Sequence, residues 1–512
     1  MRLPAVDANV VSTRSHAMAE DASHTPSTRK ASLLAAISRA AFSPTLTFLS
    51  ETDRQKIYHA ALQVLAHTGM SLQHDGAVRL LKDAGCRQDA DGLITIPTAL
   101  VEKAVDSAPG NIPIFNREGE HVMDLGGRRA YFGTGSDLMY HVDGKTLART
   151  HTRLEHIARA ARVCDALTNI DFIMSFAHPH DIDANRAYVE SFAAMAANSI
   201  KPIVNTADSR DDLSAMWQIS KILRGGEPQL REKPYWVQYA EPISPLKHPF
   251  KSIDKLIFCA ETGMPVIYSP APIAGSTAPM TVAGHVVQGL AECFFGLVIH
   301  QLTAPGAPFL MGMGAAVLDM ATSQCSYNAP EYLMAYMGMV EMSHYFDIPN
   351  WGYAGTSDAQ IPDGQATYEA GLLTYLSTAA GSNLNHDVGY LDFGLTGSLE
   401  MIVIMDEVID QIRRIQKGIV VDDDQLAVAV IGQGGRQGQF LTQPHTLKHL
   451  RSTQWRPRLI SRNGYDRWST EGRTSLLDRA HERLSQILKT YKPTLMDEKK
   501  AAAIEAVVSG YN

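Results

Sequence analysis

Aromatic side chains recur in the sequence at the ends of short apolar runs, where a binding site could form. The residues concerned are Tyr131, Phe132, Tyr140, Tyr239, Tyr268, Trp351, Tyr353, Tyr390 and Phe393. The face of an aromatic ring attracts a quaternary ammonium group, a cation that cannot hydrogen-bond through its nitrogen. Aromatic residues in strands also serve as ordinary core. Both interpretations stay open for each residue, and the set as a whole predicts one or two rings in a site for an organic cation.

Glycines cluster near the same run ends. They are Gly312, Gly314, Gly352, Gly355, Gly364, Gly389 and Gly394. Glycine permits a tight turn or the close approach of another surface. The pattern is therefore compatible with ordinary turns, and equally with an open site entrance that accepts a large partner.

A histidine pair is the strongest candidate for metal chemistry. His178 and His180 flank Pro179, with Asp181 and Asp183 nearby, and His-x-His on a strand places both rings on one face. Proline favours a turn at this point, and no second cluster of ligands accompanies the pair. We therefore expect a structural histidine pair and no tightly bound metal.

A metal- or carboxylate-dependent lyase or hydrolase remains the rival type of enzyme. Its centre would consist of His178, His180, Asp208 and Glu241. The sequence contains neither GxSxG nor HExxH, so it offers no serine nucleophile elbow and no HExxH zinc-binding pattern.

From residue 130 onwards, short apolar runs alternate with helical stretches. The runs are 130–133, 171–176, 202–205, 235–240, 265–269, 308–313, 351–354 and 385–391. The helical stretches between and after them include 185–198, 211–223, 253–262, 283–302, 330–346, 368–380 and 399–415. The repeat of roughly 30–43 residues is the size of one βα unit. Eight units predict an α/β fold, the (β/α)8 TIM barrel, with the active site at the C-terminal ends of its strands.

The same patterns divide the chain into four parts. We expect a disordered tail over 1–45 and an N-terminal helical segment over 46–125. The catalytic barrel is predicted over 126–417, and an extension over 418–512 is predicted to pack on the barrel.

Composition excludes several classes of partner. The 512 residues carry a formal net charge of −8, which gives no electrostatic reason to expect nucleic acid or an anionic membrane. The five cysteines are widely spaced and form no CxxC pair, as is typical of a reducing compartment. Neither a secretory leader nor an apolar run of membrane-spanning length is found. These features predict a cytoplasmic protein.

Four segments resemble the trimethylamine methyltransferase family. They are WGYAGTSDAQIPDGQATYE (351–369), NLNHDVGYLDFG (383–394), KPIVN (201–205) and SYNAPEYLMA (326–335). Their order and spacing are more specific than any one of them, and the similarity extends from residue 48 to the end. The resemblance implies a barrel enzyme that moves a methyl group from an amine to the cobalt of a corrinoid (cobalamin) carried by a partner protein.

The resemblance also bears on the substrate. Archaeal trimethylamine enzymes of this family carry pyrrolysine, at a position that corresponds to Gly364 or its neighbourhood, whereas this chain has only standard residues. Members without pyrrolysine are associated with quaternary amines such as glycine betaine, proline betaine and carnitine. The resemblance thus favours a small-molecule quaternary amine over trimethylamine. A non-catalytic betaine-binding protein is the second alternative.

The expected site residues follow from this resemblance. Gly364 and Gln365 mark the pyrrolysine position, and His386 would hydrogen-bond a substrate carboxylate. The predicted substrate-binding residues are Tyr131, Tyr239, Tyr353 and Phe393. We also expect a homo-oligomer.

Overall fold

The computed structural model describes residues 43–511, so most of the expected tail lies outside the described residues. A π-helical turn, Val64–Thr68, follows the first of the helices described. The helices are Glu51–Gln63, Asp75–Asp83, Thr98–Ser107, Leu154–Ala166, Ala187–Asn198, Arg210–Arg224, Glu227–Glu232, Phe250–Thr262, Val282–Thr303, Pro330–Tyr345, Gly364–Ala380, Leu399–Gln416, Asp423–Leu426, Val428–Gln437, Pro444–Thr453, Tyr465–Thr470, Leu476–Thr490 and Glu498–Ser509. The strands are Met70–Leu72, Arg87–Gln88, Leu93–Thr95, Ile112–Phe115, His121–Leu125, Tyr131–Phe132, Tyr140–Val142, Arg149–His151, Ile203–Asn205, Trp236–Ala240, Lys247–His248, Val266–Tyr268, Phe309–Met311, Val317–Leu318, Cys325–Ser326, Trp351–Tyr353, Leu384–His386, Tyr390–Leu391 and Thr396–Gly397.

Eight parallel segments close into a barrel. Seven are regular strands, and in chain order they begin at Tyr131, Ile203, Trp236, Val266, Phe309, Trp351 and Leu384. The remaining position is filled by Phe172 and Ile173, which bridge to Gly133 and Ile203. A bridge from Met311 to Asn350 joins the two halves, and Leu384 pairs with Tyr131 to close the circle. The predicted (β/α)8 barrel is confirmed.

Strand alternation fills the lower part of the barrel with apolar side chains. Residues two apart on a strand point to the same face, and the inward layer is built from Phe172, Val204, Val237, Ile267, Leu310, Trp351 and Leu384. The antiparallel hairpin of Ile112–Phe115 and His121–Leu125 packs against this layer through Ile114 and Met123. The barrel is therefore a packed core in this layer, not a pore.

One long helix behind the barrel is almost wholly buried. Val282–Thr303 has the length and composition of a membrane-crossing helix, but most of it lies inside the protein. Two glycines explain how closely it packs. A Cβ on Gly289 would lie 2.1 Å from the Met313 sulfur, and one on Gly296 would lie 2.3 Å from the Tyr268 ring. The helix is thus a core element of the barrel.

The N-terminal segment contains strands as well as the expected helices. Met70–Leu72 pairs antiparallel with Leu93–Thr95 and parallel with Lys247–His248, which lies in a barrel loop. The segment predicted as helical over 46–125 thus contains both helices and strands. The strands are only two to five residues long, too short to show a clear period of two.

The C-terminal part divides differently from the prediction. Residues 451–511 form one compact unit with 43–416, whereas 417–450 belong to a separate unit. In the larger unit, the carboxylate of Glu407 accepts backbone N–H bonds from Arg458, Leu459 and Ile460 at 2.8–3.0 Å. This carboxylate holds the returning chain on the helix Leu399–Gln416.

Candidate functional site

A cavity of about 400 Å³ opens at the C-terminal ends of the barrel strands. This is the end at which barrel enzymes carry their active sites, and the volume suits a small molecule. The lining residues are Ser136, Asp137, Met174, Tyr239, Glu241, Ala271, Ile273, Gly314, Ala316, Cys325, Tyr327, Trp351, Tyr353, His386, Asp387, Tyr390 and Gly394.

The cavity wall is a connected group of rings on three strands. Trp351 and Tyr353 share one face of their strand because they are two residues apart. The Trp351 ring stacks on His386 with centroids 4.0 Å apart, and the Tyr353 ring lies 4.5 Å from the same imidazole. Tyr239 approaches Trp351 at 5.9 Å. Such a wall offers several π faces to a cation.

Glycines create the space that this wall encloses. A Cβ on Gly135 would lie 2.2 Å from an Asp387 oxygen and 2.4 Å from the Tyr390 ring. A Cβ on Gly314 would lie 2.9 Å from the Tyr353 hydroxyl. Any larger side chain at either position would displace groups that line the cavity.

Three carboxyl groups share the cavity. Asp137 and Glu241 are exposed at its entrance, whereas Asp387 is buried. Surrounding protein desolvates all three and raises their pKa values, that of Asp387 most strongly. Glu241 accepts a hydrogen bond from the Tyr239 hydroxyl at 2.8 Å, which opposes the rise in its pKa. The polar part of the cavity is therefore acidic in character.

A backbone contact fixes the tautomer of His386. Its Nδ1 lies 2.7 Å from the Gly352 carbonyl oxygen, which can only accept, so Nδ1 carries the hydrogen. Burial lowers the pKa of the imidazole to about 3, so Nε2 keeps a lone pair. His386 Nε2 lies 3.2 Å from Asp387 Oδ1. Burial raises the pKa of Asp387 well above its ordinary value, which weakens the repulsion between its carboxyl group and this lone pair.

The sequence matches the model of one protein family over residues 13–510, described as trimethylamine methyltransferase (MTTB). The chain belongs to the trimethylamine methyltransferase family. A trimethylamine methyltransferase from Desulfitobacterium hafniense strain DCB-2 is 30% identical over 464 residues, covering 90% of this chain and 93% of the relative. A glycine betaine methyltransferase from strain Y51 of that species is 28% identical, covering 91% and 97%.

Solved structures agree on the fold. The monomethylamine methyltransferase of Methanosarcina barkeri matches with a TM-score of 0.50 at 12% identity, covering 90% of this chain and 92% of that one. The family membership makes this chain a methyltransferase, as predicted.

The cavity contains three of the seven expected site residues. Tyr239, Tyr353 and His386 line it, whereas Tyr131, Phe393, Gly364 and Gln365 do not. The Tyr131 hydroxyl accepts from the Asp124 backbone N–H, which draws it towards the hairpin. Gly364 and Gln365 are exposed at the start of the helix Gly364–Ala380. The seventh, Phe393, lies in a turn with φ 54°.

Several lining residues were absent from the expected site set. Trp351 and Tyr390 belong to the aromatic pattern noted in the sequence, and the alternation Trp351-x-Tyr353 would have placed Trp351 beside Tyr353. Tyr327, Asp137 and Asp387 lie in loops. No periodic signal marks these loop positions.

The rival metal centre is dispersed in the methyltransferase structure. His180 packs on the His151 ring at 4.2 Å, and Asp208 pairs with Lys251 at 2.5 Å. His178 lies 3.9 Å from Asp137, while Glu241 bonds to Tyr239. Each side chain has a different neighbour, so the four do not form one ligand set.

Another histidine cluster lies within the unit 417–450. His445 and His449 are one helical turn apart with ring centroids 4.3 Å apart, and His449 Nε2 is 2.9 Å from Asp424 Oδ2. The ammonium of Lys448 contacts the same oxygen at 2.7 Å. Because a lysine cation already neutralises the carboxylate, the cluster resembles a hydrogen-bonded surface group more than a metal centre.

Proposed function

We propose that the enzyme transfers a methyl group from a quaternary amine, the class that includes glycine betaine, proline betaine and carnitine, to the Co(I) corrinoid of a partner protein. The observation that carries this proposal is the wall of stacked rings at the active-site end of the barrel. Ring faces attract a permanent cation even though it has no N–H group to donate. The similarity to a glycine betaine methyltransferase supports the same class.

The residues of the cavity suit a reaction that needs no proton donor. A Co(I) corrinoid supplies the nucleophile for the methyl carbon, and a quaternary ammonium leaves as a neutral tertiary amine. His386 is neutral and donates its one N–H to Gly352. The chain therefore contributes positioning and water exclusion, which together can account for several kcal/mol of barrier lowering.

The entrance of the cavity suits a large apolar acceptor. Met280 and Met320 are both more than half exposed and meet above Gly275, where a Cβ would contact both side chains. They lie in the loops that also supply Ile273 and Ala316 to the lining. Flexible methionines provide an adaptable apolar contact, as docking of a corrinoid macrocycle would require.

Methyl transfer can be measured directly with free cofactor. Purified protein, reduced cob(I)alamin and one amine at a time are mixed, and methylcobalamin is followed by its absorbance. We expect product with at least one quaternary amine and none with trimethylamine. Product from trimethylamine alone would contradict the proposal, as would a complete lack of transfer from every quaternary amine.

Two tyrosine variants test whether methyl transfer depends on the cavity. Tyr353→Ala removes a ring of the wall and should reduce transfer strongly, whereas Tyr465→Ala changes a tyrosine that is 71% exposed and should leave it unchanged. Equal losses in both variants would refute the assignment of the site.

We propose that Gly364 and Gln365, which mark the position of pyrrolysine in relatives, contribute to methyl transfer. Both lie at the first turn of Gly364–Ala380, and Gln365 donates to Glu369 at 3.0 Å. If the position matters, Gly364→Ala should change transfer, although no atom lies within 4 Å of the added Cβ. Unchanged transfer would remove this residue from the site.

We also propose a cytoplasmic homo-oligomer. All five cysteines are unpaired and four are buried, as suits a reducing compartment. Within 417–450, Ile419 and Leu441 are each 81% exposed, and large exposed apolar groups of this kind mark contact surfaces. Light scattering at micromolar concentration should give a mass above that of one chain. A monomer would contradict the oligomer.

A further inference from the structure

The charge of the cavity lining is one-sided. Its titratable acids are the carboxyl groups of Asp137, Glu241 and Asp387, and no lysine or arginine lines it among the described residues. Such a site attracts a bound cation electrostatically. A bound carboxylate would need an opposite charge or several free donors, because an unpaired anion loses its hydration on entry.

Lys255 lies outside the lining and is already engaged. It donates to the Ala207 carbonyl at 2.8 Å and attracts Glu241 electrostatically. Its charge is therefore shared with Glu241 and Asp208. It does not convert the cavity into an anion site.

His386 offers no hydrogen to a ligand in the cavity. Its Nδ1–H is bound to the Gly352 carbonyl, and its Nε2 presents a lone pair towards Asp387. A carboxylate placed beside this edge would meet a lone pair and the carboxyl group of Asp387. The expectation that His386 holds a substrate carboxylate does not fit this geometry.

Three of the hydroxyl donors in the cavity lining are also engaged. Tyr239 donates to Glu241 at 2.8 Å, and Ser136 donates to Asp137 at 2.7 Å. The Tyr390 hydroxyl donates to the Ser136 carbonyl. Each of these donors satisfies a protein oxygen, so redirecting it to a ligand anion would leave that oxygen without its donor.

We infer that the preferred substrate is a quaternary ammonium compound without a carboxylate, its charged head held by the rings and by Asp137 and Glu241. This inference rests on the proposed function and narrows it to one part of the class. The head group needs the ring wall, which betaines also satisfy. The remainder of the molecule decides the preference, and here the cavity favours a neutral polar or apolar substituent.

Two matched pairs of probes isolate the carboxylate. Choline and glycine betaine share a trimethylammonium head and differ mainly in a hydroxymethyl against a carboxylate group. Glycine betaine amide keeps the carbonyl and removes the charge. We expect kcat/KM for choline and for the amide to exceed that for glycine betaine by about tenfold or more, since like charges in a partly desolvated site repel strongly.

Binding measured by calorimetry without any corrinoid separates this inference from the proposed function. Tighter binding of choline than of glycine betaine supports it, even if methyl transfer fails with every amine and the proposed function falls. Efficient transfer from glycine betaine, with choline bound equally or more weakly, would leave the proposed function standing and overturn this inference. Failure of both probes to bind would overturn it as well.

Charge variants test which residues carry the preference. Glu241→Gln and Asp137→Asn change exposed entrance residues, so both variants should fold normally. Each should reduce the ratio of kcat/KM for choline to kcat/KM for glycine betaine by about threefold or more. Glu227→Gln removes an exposed acid of a surface ion pair on another helix and should leave the ratio unchanged. An unaltered ratio in both entrance variants would refute the assignment of these two carboxylates.

Discussion

Replacing Gly135 with alanine should damage the site through one small group. The added Cβ would lie 2.2 Å from Asp387 Oδ1 and 2.4 Å from the Tyr390 ring, where ordinary contacts are about 3.4 Å or more. One or both side chains must therefore move by about 1 Å. Asp387 cannot move that far and keep its 3.2 Å contact with His386. Tyr390 cannot easily keep its bond to the Ser136 carbonyl.

The expected magnitudes follow from this displacement. A misplacement of about 1 Å in an active site can cost about 100-fold in rate, and overpacking of a buried position costs about 1–3 kcal/mol of stability. We expect Gly135→Ala to fold, to unfold at lower urea concentration, and to lose about 100-fold in kcat/KM for the best quaternary amine.

Gly432→Ala is the matched control for Gly135→Ala. Gly432→Ala adds the same methyl group in the helix Val428–Gln437 with no atom within 4 Å, so its kcat/KM should match the unaltered enzyme and its helix should be slightly more stable. If Gly135→Ala retains kcat/KM within threefold, the close packing of Gly135 against Asp387 and Tyr390 does not set the site geometry.

Other perturbations have equally direct outcomes. Lowering the pH should reduce kcat/KM for a cationic substrate, because Glu241 attracts it only when ionised, and desolvation moves this loss to a pH above the ordinary carboxyl range. Tyr239→Phe removes a donor that lowers the pKa of Glu241, so the loss should begin at still higher pH; an unshifted pH profile would contradict this. Trp351→Leu should weaken choline binding by roughly twofold to thirtyfold in calorimetry, since cation–π attraction contributes about 0.5–2 kcal/mol. Glu407→Gln should lower the free energy of unfolding in urea by about 2–4 kcal/mol, because three backbone donors lose an ionised acceptor; a change below about 1 kcal/mol would be too small for that role.

The barrel could be predicted from the sequence because short apolar runs alternate with helical stretches at the spacing of βα units. The predicted helix 399–415 is observed as Leu399–Gln416, and 283–302 as Val282–Thr303. The run 171–176 was also expected to be a strand, but only isolated bridges form there. Phe176 takes a positive φ of 64°, and a left-handed residue of this kind cannot continue an extended ladder.

The site was predictable only where it lies on strands. Tyr239, Tyr353 and His386 follow from their positions at strand ends. The carboxyls of Asp137 and Asp387 depend on loop backbones with positive φ, at 64° and 76°. Nothing in the residue pattern specifies such turns in advance. The proposed substrate preference rests on the acidic character of the cavity, and of its three carboxyl groups only that of Glu241 was named from the sequence.

This division between strands and loops has a consequence for the choice of substrate. The ring wall of the cavity is held in place by strand pairing, because Trp351, Tyr353 and His386 lie on two paired parallel strands. The carboxyls Asp137 and Glu241 lie in connecting loops, which tolerate substitution far better than paired strands do. A change of loop residues can thus alter the charge opposite the rest of the substrate while the rings keep binding an onium head. Exchanging Glu241 for a cationic residue should, on this argument, move the preference towards betaines without abolishing methyl transfer.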